Sequence, residues 1–317
     1  MAGERVHHRT YSVDVAAPAG VVYALIADTT RWPLFLPSSI HVERLDFDGV
    51  QDRFQTWAEV DGSVRSRLFR RTLDAGARRI DFCQEVPAGP ALSLGGRWTV
   101  EATAPGRSRL ALEHELTVDG GRPQDAARLV HATDTAAAAE LAQLRTTAER
   151  WDRLEALLLS FEESVRVKGP AELVYGFLCG IADWPGRVPH VLRAEVAEER
   201  PGVQSVRTQT RSGGGRVRSA ETVRVCFPHA FRIVSKETAP GEPLAAHTTE
   251  WSVLPGERDV TVLAQHQVLL HDNPGTGTGP CPGTAAARAH VRDLFGGQSN
   301  TVLTLAKQHA ETAVRTL

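Results

Sequence analysis

Two histidines stand where a strand pattern calls for aliphatic side chains. Over residues 108–118 the even positions are Leu110, Leu112, His114, Leu116 and Val118. Over 260–270 they are Val260, Val262, Ala264, His266, Val268 and Leu270. Strict alternation marks a strand with one face turned inward, so each imidazole sits among apolar neighbours. A neutral imidazole there either holds a structural hydrogen bond or takes a proton from a carbon acid. Its recurrence on a second strand adds weight to the working role. The segment 63–73 places Arg65, Arg67 and Arg71 on one face. Facing a cavity, guanidinium groups hold oxyanions, carboxylates or phosphate; on an open sheet they are merely solvated, the better reading for Arg65. Arg224 takes the place of Arg71 later in the chain. His131 with Asp134, and His290 with Asp293, are three apart, which puts each pair on one helical face. Asp134, ahead of Thr135 and a run of alanines, also fits an N-cap.

Other chemistries have no signature. There is no HExxH, His/Cys ligand set, GxSxG, P-loop or GxGxxG. Cys83, Cys179, Cys226 and Cys281 are scattered without a CxxC pair and read as buried or incidental thiols. An enzyme built on these residues works by acid–base chemistry in a shaped cavity, with no metal, cofactor or covalent nucleophile.

The elements that position these residues occur twice. Val13, Val15, Pro18, Ala19, Val22, Tyr23, Trp32, Pro33 and Pro37 recur, without a gap, as Val165, Val167, Pro170, Ala171, Val174, Tyr175, Trp184, Pro185 and Pro189. The offset of 152 becomes 153 at Arg71/Arg224, Ile80/Ile233 and Trp98/Trp251. A period this long is a duplicated domain, with expected boundaries at 1–159 and 160–317. Each copy reads as a strand, a short helix behind a proline, a Trp-Pro break, six strands and one long helix, about 124–159 and 285–315. Leu141, Leu144, Trp151, Leu154 and Leu158 mark the apolar stripe of the first long helix. Strands in series closed by a helix predict α+β with an antiparallel sheet curled around the helix, leaving an interior cavity. The glycine- and proline-rich segment 273–283 is open between a lid and a spacer.

Composition narrows the class. The 317 residues are 42% hydrophobic and 23% charged, ample for two cores. Lys and Arg number 36 against 38 Asp and Glu, which argues against nucleic acid as a partner. No apolar run is long enough for a membrane span, and the polar N-terminus lacks a secretory signal, so a cytoplasmic location is the default expectation.

The segments Val13-Asp14-Val15-Ala16-Ala17-Pro18, Trp32-Pro33-Leu34-Phe35-Leu36-Pro37, Arg71-Thr72-Leu73-Asp74 and Arg97-Trp98-Thr99-Val100, together with the duplication, resemble the two-domain polyketide aromatase/cyclases of bacterial type II polyketide synthases. The resemblance implies tandem helix-grip domains of the START/Bet v 1-like kind and a cofactor-independent lyase. It implies regiospecific aldol closure of a poly-β-ketone, C7 to C12 for the first ring, then dehydrative aromatisation. Its partners would be an acyl carrier protein bearing the chain and other synthase subunits. By position it assigns catalysis to Arg71, His114 and Asp134, and to Arg224, His266 and Asp293 in the second copy. Arg71 would stabilise the enolate, His114 would move the proton, and Asp134 would orient His114. Trp32, Phe35, Arg67, Trp98, Trp184 and Trp251 would bind substrate. Arg65 and Arg67 replace aromatic residues common in single-domain members, and Ser39 replaces a tyrosine found in some. The alternatives are a START-like carrier of a hydrophobic molecule and an assembly subunit with two inactive cavities.

Overall fold

A computed structural model of the chain describes residues 4–60, 62–87, 91–119, 123–212, 214–272 and 283–315. The chain separates into two compact units, 1–155 and 156–317. In the first, β1 (Glu4–Val15), β2 (Ser39–Phe47), β3 (Gln51–Val60), β4 (Ser63–Asp74), β5 (Arg79–Gln84), β6 (Ala91–Ala104) and β7 (Arg107–Asp119) form one sheet in the order β1-β7-β6-β5-β4-β3-β2. Every neighbouring pair is antiparallel. Between β1 and β2 lie α1 (Ala19–Ala27) and the single turn α2 (Trp32–Phe35); α3 (Pro123–Ala148) follows the sheet and then α4 (Trp151–Leu157). The second unit repeats this plan with β8 (Leu158–Val167), α5 (Ala171–Cys179), β9 (Val191–Arg200), β10 (Val203–Arg211), β11 (Val217–Phe227), β12 (Arg232–Glu237), β13 (Leu244–Pro255), β14 (Val260–Leu270) and α6 (Thr284–Arg315). Its sheet runs β8-β14-β13-β12-β11-β10-β9. Both units are the expected α+β helix-grip arrangement.

The first long helix departs from expectation. It ends at Ala148, not 159, and Leu158 already opens β8. Leu141 and Leu144 are buried, but Trp151 is 47% exposed. The apolar spacing runs on past 148 while the helix does not. At the break the Glu149 carboxylate accepts hydrogen bonds from the Ala16 N–H (3.1 Å) and Arg145 Nε (3.0 Å). Glu311 binds the Lys168 N–H in the same way (2.9 Å). These two carboxylates tie the end of each long helix to the end of its unit's first strand, so Glu149 and Glu311 occupy equivalent places and give the register for comparing α3 with α6. The β3–β4 and β10–β11 turns include Gly62 and Gly215, at φ +72° and +77°, values a side chain resists. Residues 273–282, most of the expected lid or spacer, lie outside the described residues.

The short helix of each unit ends inside the protein, where its last carbonyls lack intrahelical partners. Trp32 Nε1 donates to Leu25 O (3.2 Å), and Arg71 donates to Ile26 O and Ala27 O (2.9 Å each). Arg71, 2% exposed, also grips the Asp52 carboxylate with Nε and Nη2. In the second unit Trp184 donates to Phe177 O (3.1 Å), and Arg224 to Leu178 O (2.6 Å) and Cys179 O (3.3 Å). There the Asp52 position is Gln204, whose Oε1 accepts from Arg224 Nη1 at 2.9 Å. A cation at the negative end of the helix dipole adds to the hydrogen bonds. The Trp-Pro break and the strand arginine are thus one capping device.

Removing one member of a buried ion pair leaves the other charged and unpaired, which costs about 3–5 kcal/mol. Arg71→Leu is expected to lower unfolding free energy by that amount in urea titrations. The double variant Arg71→Leu/Asp52→Leu is expected to lose less than Arg71→Leu alone.

Candidate active site

The first sheet and α3 enclose a cavity of about 760 Å³. Trp32, Phe54, Phe69, Phe82 and Trp98 form its aromatic wall, while the middle of α3 presents the small side chains Ala132, Thr133, Ala136 and Ala137 between Leu129 and Glu140. The polar groups that reach it include Arg67, Arg71, His114 and Glu140. Alternation on β4 carries Arg67, Phe69 and Arg71 inward together, as the sequence pattern predicts.

His114 projects from β7 between buried Leu112 and Leu116. Its ring meets Tyr11 (5.9 Å, 74°) and Phe82 (5.8 Å, 85°) edge to face. Phe82 gets that close because residue 96 is glycine; a Cβ there would lie 2.1 Å from Glu113 O and 2.7 Å from the Phe82 ring. Burial pushes the His114 pKa down to about 4, against a smaller opposing pull from Asp134. The ring is therefore neutral near pH 7. Its Nδ1 is buried and has no hydrogen-bond partner among the described residues. Glu140, one turn before Leu144, turns its carboxyl into the same cavity. Burial raises its pKa to about 7. Arg67 is lowered by burial and by neighbouring Arg65.

Several sequence assignments change. Asp134 lies inside α3, which excludes the N-cap, and it accepts a hydrogen bond from Tyr11 Oη, with Arg9 Nε at 3.6 Å. It does not line the cavity, and no hydrogen bond joins it to His114. Arg71 reaches the cavity, yet its guanidinium is committed to Asp52 and two carbonyls, and stacks on Phe54 (4.9 Å) and Trp32 (5.8 Å). Each of its three guanidinium nitrogens thus already donates to the protein. Phe35 is buried in α2 beneath Arg31 and lines neither cavity. His131 and His290 are exposed.

The second unit holds a cavity of about 150 Å³ lined by Trp184, Arg224, Trp251 and His266 among others. Its size follows from the side chains that α6 presents when Glu149 is aligned with Glu311. In that register Thr133, Ala136, Ala137 and Glu140 correspond to Phe295, Gln298, Ser299 and Val302, which fill the space. The same register puts Gly296 in the slot of Asp134. Asp293 is exposed and outside the cavity. His266 is buried in a chain: Ser299 Oγ to His266 Nε2 (2.8 Å), His266 Nδ1 to His247 Nε2 (3.1 Å), His247 Nδ1 to Glu237 (3.6 Å), and Glu237 to Arg218. Burial, then His247, lowers His266 to about 3. Among the described residues no group of three or more His, Cys, Asp or Glu is placed to hold a metal ion.

Sequence reasoning missed Glu140, His247 and Ser299. Glu140 follows Ala136 and Ala137 by a turn and adjoins the stripe of Leu141 and Leu144, a position facing the sheet. His247 alternates with Thr249, Trp251 and Val253 on β13, the same signal that singled out His266.

The pH dependence has a definite sign. Glu140 is raised from 4.5 to about 7, so the folded state loses stability as pH rises through that window. Glu140→Gln is expected to stabilise the protein at pH 8 by up to about 3 kcal/mol and to change little at pH 4. His114 is depressed from 6.5 to about 4. Its contribution is present above pH 6.5 and lost as pH falls towards 4. Its NMR titration midpoint is expected near 4.

Residues 15–140 match the family described as polyketide cyclase/dehydrase and lipid transport. The chain is 31% identical over 312 residues to the granaticin polyketide synthase bifunctional cyclase/dehydratase of Streptomyces violaceoruber, covering 97% of this chain and 95% of that one. It is 35% identical over 262 residues to the Streptomyces virginiae protein of the same description, covering 82% and 85%. The crystal structure of BexL, a di-domain ARO/CYC from the BE-7585A biosynthetic pathway, superposes with a TM-score of 0.86 at 35% identity, over 96% of this chain and 99% of that one. Likeness of this degree over both units means that the chain belongs to the two-domain polyketide cyclase/dehydratases.

Proposed function

We propose that the first domain closes and aromatises the first ring of a poly-β-ketone held as a thioester on an acyl carrier protein, joining C7 to C12. The observation that carries this reading is the contrast between the cavities. The one of about 760 Å³ lies within the range of small-molecule pockets and is lined both by a histidine whose Nδ1 has no partner among the described residues and by a carboxyl with a pKa of about 7. The one of about 150 Å³ is too small for such a chain.

Glu140, part ionised at pH 7, takes a proton from a methylene flanked by two carbonyls. The enolate carbon attacks a ketone carbon. The carbon–carbon bond forms and the ketone oxygen becomes an alkoxide. Arg67 faces that developing negative charge from the cavity wall, where little water competes. Neutral His114 donates its ring N–H to a carbonyl oxygen, which replaces the base role expected from sequence; a group with pKa about 4 accepts a proton weakly. Protonated Glu140 then returns its proton to the alkoxide or to the departing hydroxyl. Glu140 takes the second proton of the attacking methylene and passes it to the departing hydroxyl, so that one water leaves, and enolisation of the remaining ring ketones gives the aromatic ring. The aromatic wall folds the chain so that one pair of carbons meets. Arg71 holds Trp32 and Phe54 in that wall. The carrier protein's phosphopantetheine arm would deliver the chain, and the other synthase subunits would supply it.

Reconstitution with a minimal polyketide synthase and product analysis by mass spectrometry and NMR tests this. Addition of the protein should convert shunt products into one aromatic-ring product. Glu140→Gln and His114→Ala should reduce that product by about a hundredfold, and His266→Ala should leave it unchanged. A folded Glu140→Gln protein with full activity would overturn the assignment. A shunt mixture unaltered by the protein would favour the carrier.

A further inference from the structure

The two capping devices differ in one respect that their shared geometry makes informative. Arg71 has a carboxylate, Asp52, at the facing position on β3. Arg224 faces Gln204 on β10 and has no carboxylate in its grip. Where the first copy has Ala27 and Leu73, the second has Cys179 and Cys226. Cys179 closes α5, and its carbonyl accepts from Arg224. Cys226 lies two residues beyond Arg224 on β11. The two sulfur atoms are 3.8 Å apart, and Gln204 Nε2 donates to Cys179 Sγ, also at 3.8 Å. A buried guanidinium stripped of its carboxylate has thus acquired two thiols.

We propose that Cys179 and Cys226 form a reactive dithiol in which the Cys179 thiolate serves as counter-ion to Arg224 and is oxidised by hydroperoxides to a Cys179–Cys226 disulfide. The thiolate attacks one peroxide oxygen, the O–O bond breaks, and hydroxide leaves with a sulfenic acid on Cys179. The Cys226 sulfur then attacks that sulfur and water leaves, so two sulfurs lose the two electrons that the peroxide gains. The two sulfur atoms have to close from 3.8 Å to the roughly 2.05 Å of a disulfide. Cys179 is only half-buried, which leaves it open to a small reagent.

The charges around the pair act in the required direction. The hydrogen bond from Cys226 and the Arg224 charge bring Cys179 down to about 6, against burial and the exposed Glu198 on β9. Cys226 is pushed up, chiefly by Cys179 and by burial. Tyr175, on α5, faces both thiols and is itself raised, first by burial.

Limited alkylation of the full, reduced protein with iodoacetamide from pH 5 to 9, read by peptide mass spectrometry, provides the test. The exposed Cys83 serves as internal reference. Cys179 should show a midpoint at least about one pH unit below that of Cys83. Gln204→Asp, which restores the carboxylate of the first copy, should move the Cys179 midpoint upward. One equivalent of hydrogen peroxide should give a cross-linked Cys179–Cys226 peptide pair, and Cys226→Ser should instead leave a dimedone-trappable sulfenic acid on Cys179. A wild-type Cys179 midpoint equal to that of Cys83 overturns the proposal, as does peroxide treatment that yields no Cys179–Cys226 cross-link.

Discussion

The end of a nine-residue helix, buried with its last carbonyls unpaired, is the constraint on which the rest of each domain depends. A sheet curled around a long helix still has to turn the chain from its first strand back to the far edge, and the short helix makes that turn. Its C-terminus points into protein, where water cannot satisfy it. One tryptophan and one arginine, brought from the following turn and from the sheet, cover three otherwise unpaired carbonyls in each copy. The arginine must be buried to do this. Its own desolvation then demands a partner: a carboxylate in one copy, an amide and two thiols in the other.

Cavity size is a separate matter, decided on the other side of the space. The two sheets present comparable inward faces, each with a tryptophan and a histidine at matched places. The long helices do not match. Alanine and threonine on α3 leave room; phenylalanine, glutamine and valine on α6 occupy it. In the open cavity a histidine nitrogen has no partner among the described residues and burial raises a glutamate pKa to about 7, features that stability alone would select against. In the filled one the equivalent histidine is bonded at both nitrogens.

The fold was legible because alternation, the Trp-Pro break and the duplication all bear on backbone structure. Cavity-facing positions were legible where they rested on alternation along a strand: Arg67 and His114 were read as inward-facing this way, and both line the cavity, whereas Trp98 came from the repeat and the family resemblance. Such positions were obscure where they rested on helix phase. Asp134 and Asp293 were singled out by a His-x-x-Asp spacing common to both helices and given their role by the family resemblance, but which face of each helix meets the cavity becomes visible only with the strands packed against it. Arg71 shows a second limit. Its position follows from the pattern, but the carbonyls that occupy its guanidinium come from a helix some 45 residues earlier, and no local spacing reports them.

The division of labour between sheet and helix has a wider consequence. Because the capping device sits at one side and the volume is governed by side chains one turn apart on α3, the two can vary independently. Successive replacements along the Ala132–Thr133–Ala136–Ala137 face would shorten or lengthen the interior in steps of a few atoms without disturbing the buried arginine. The helix then acts as a ruler laid against a fixed wall, and a duplicated chain carries two such rulers cut to different lengths.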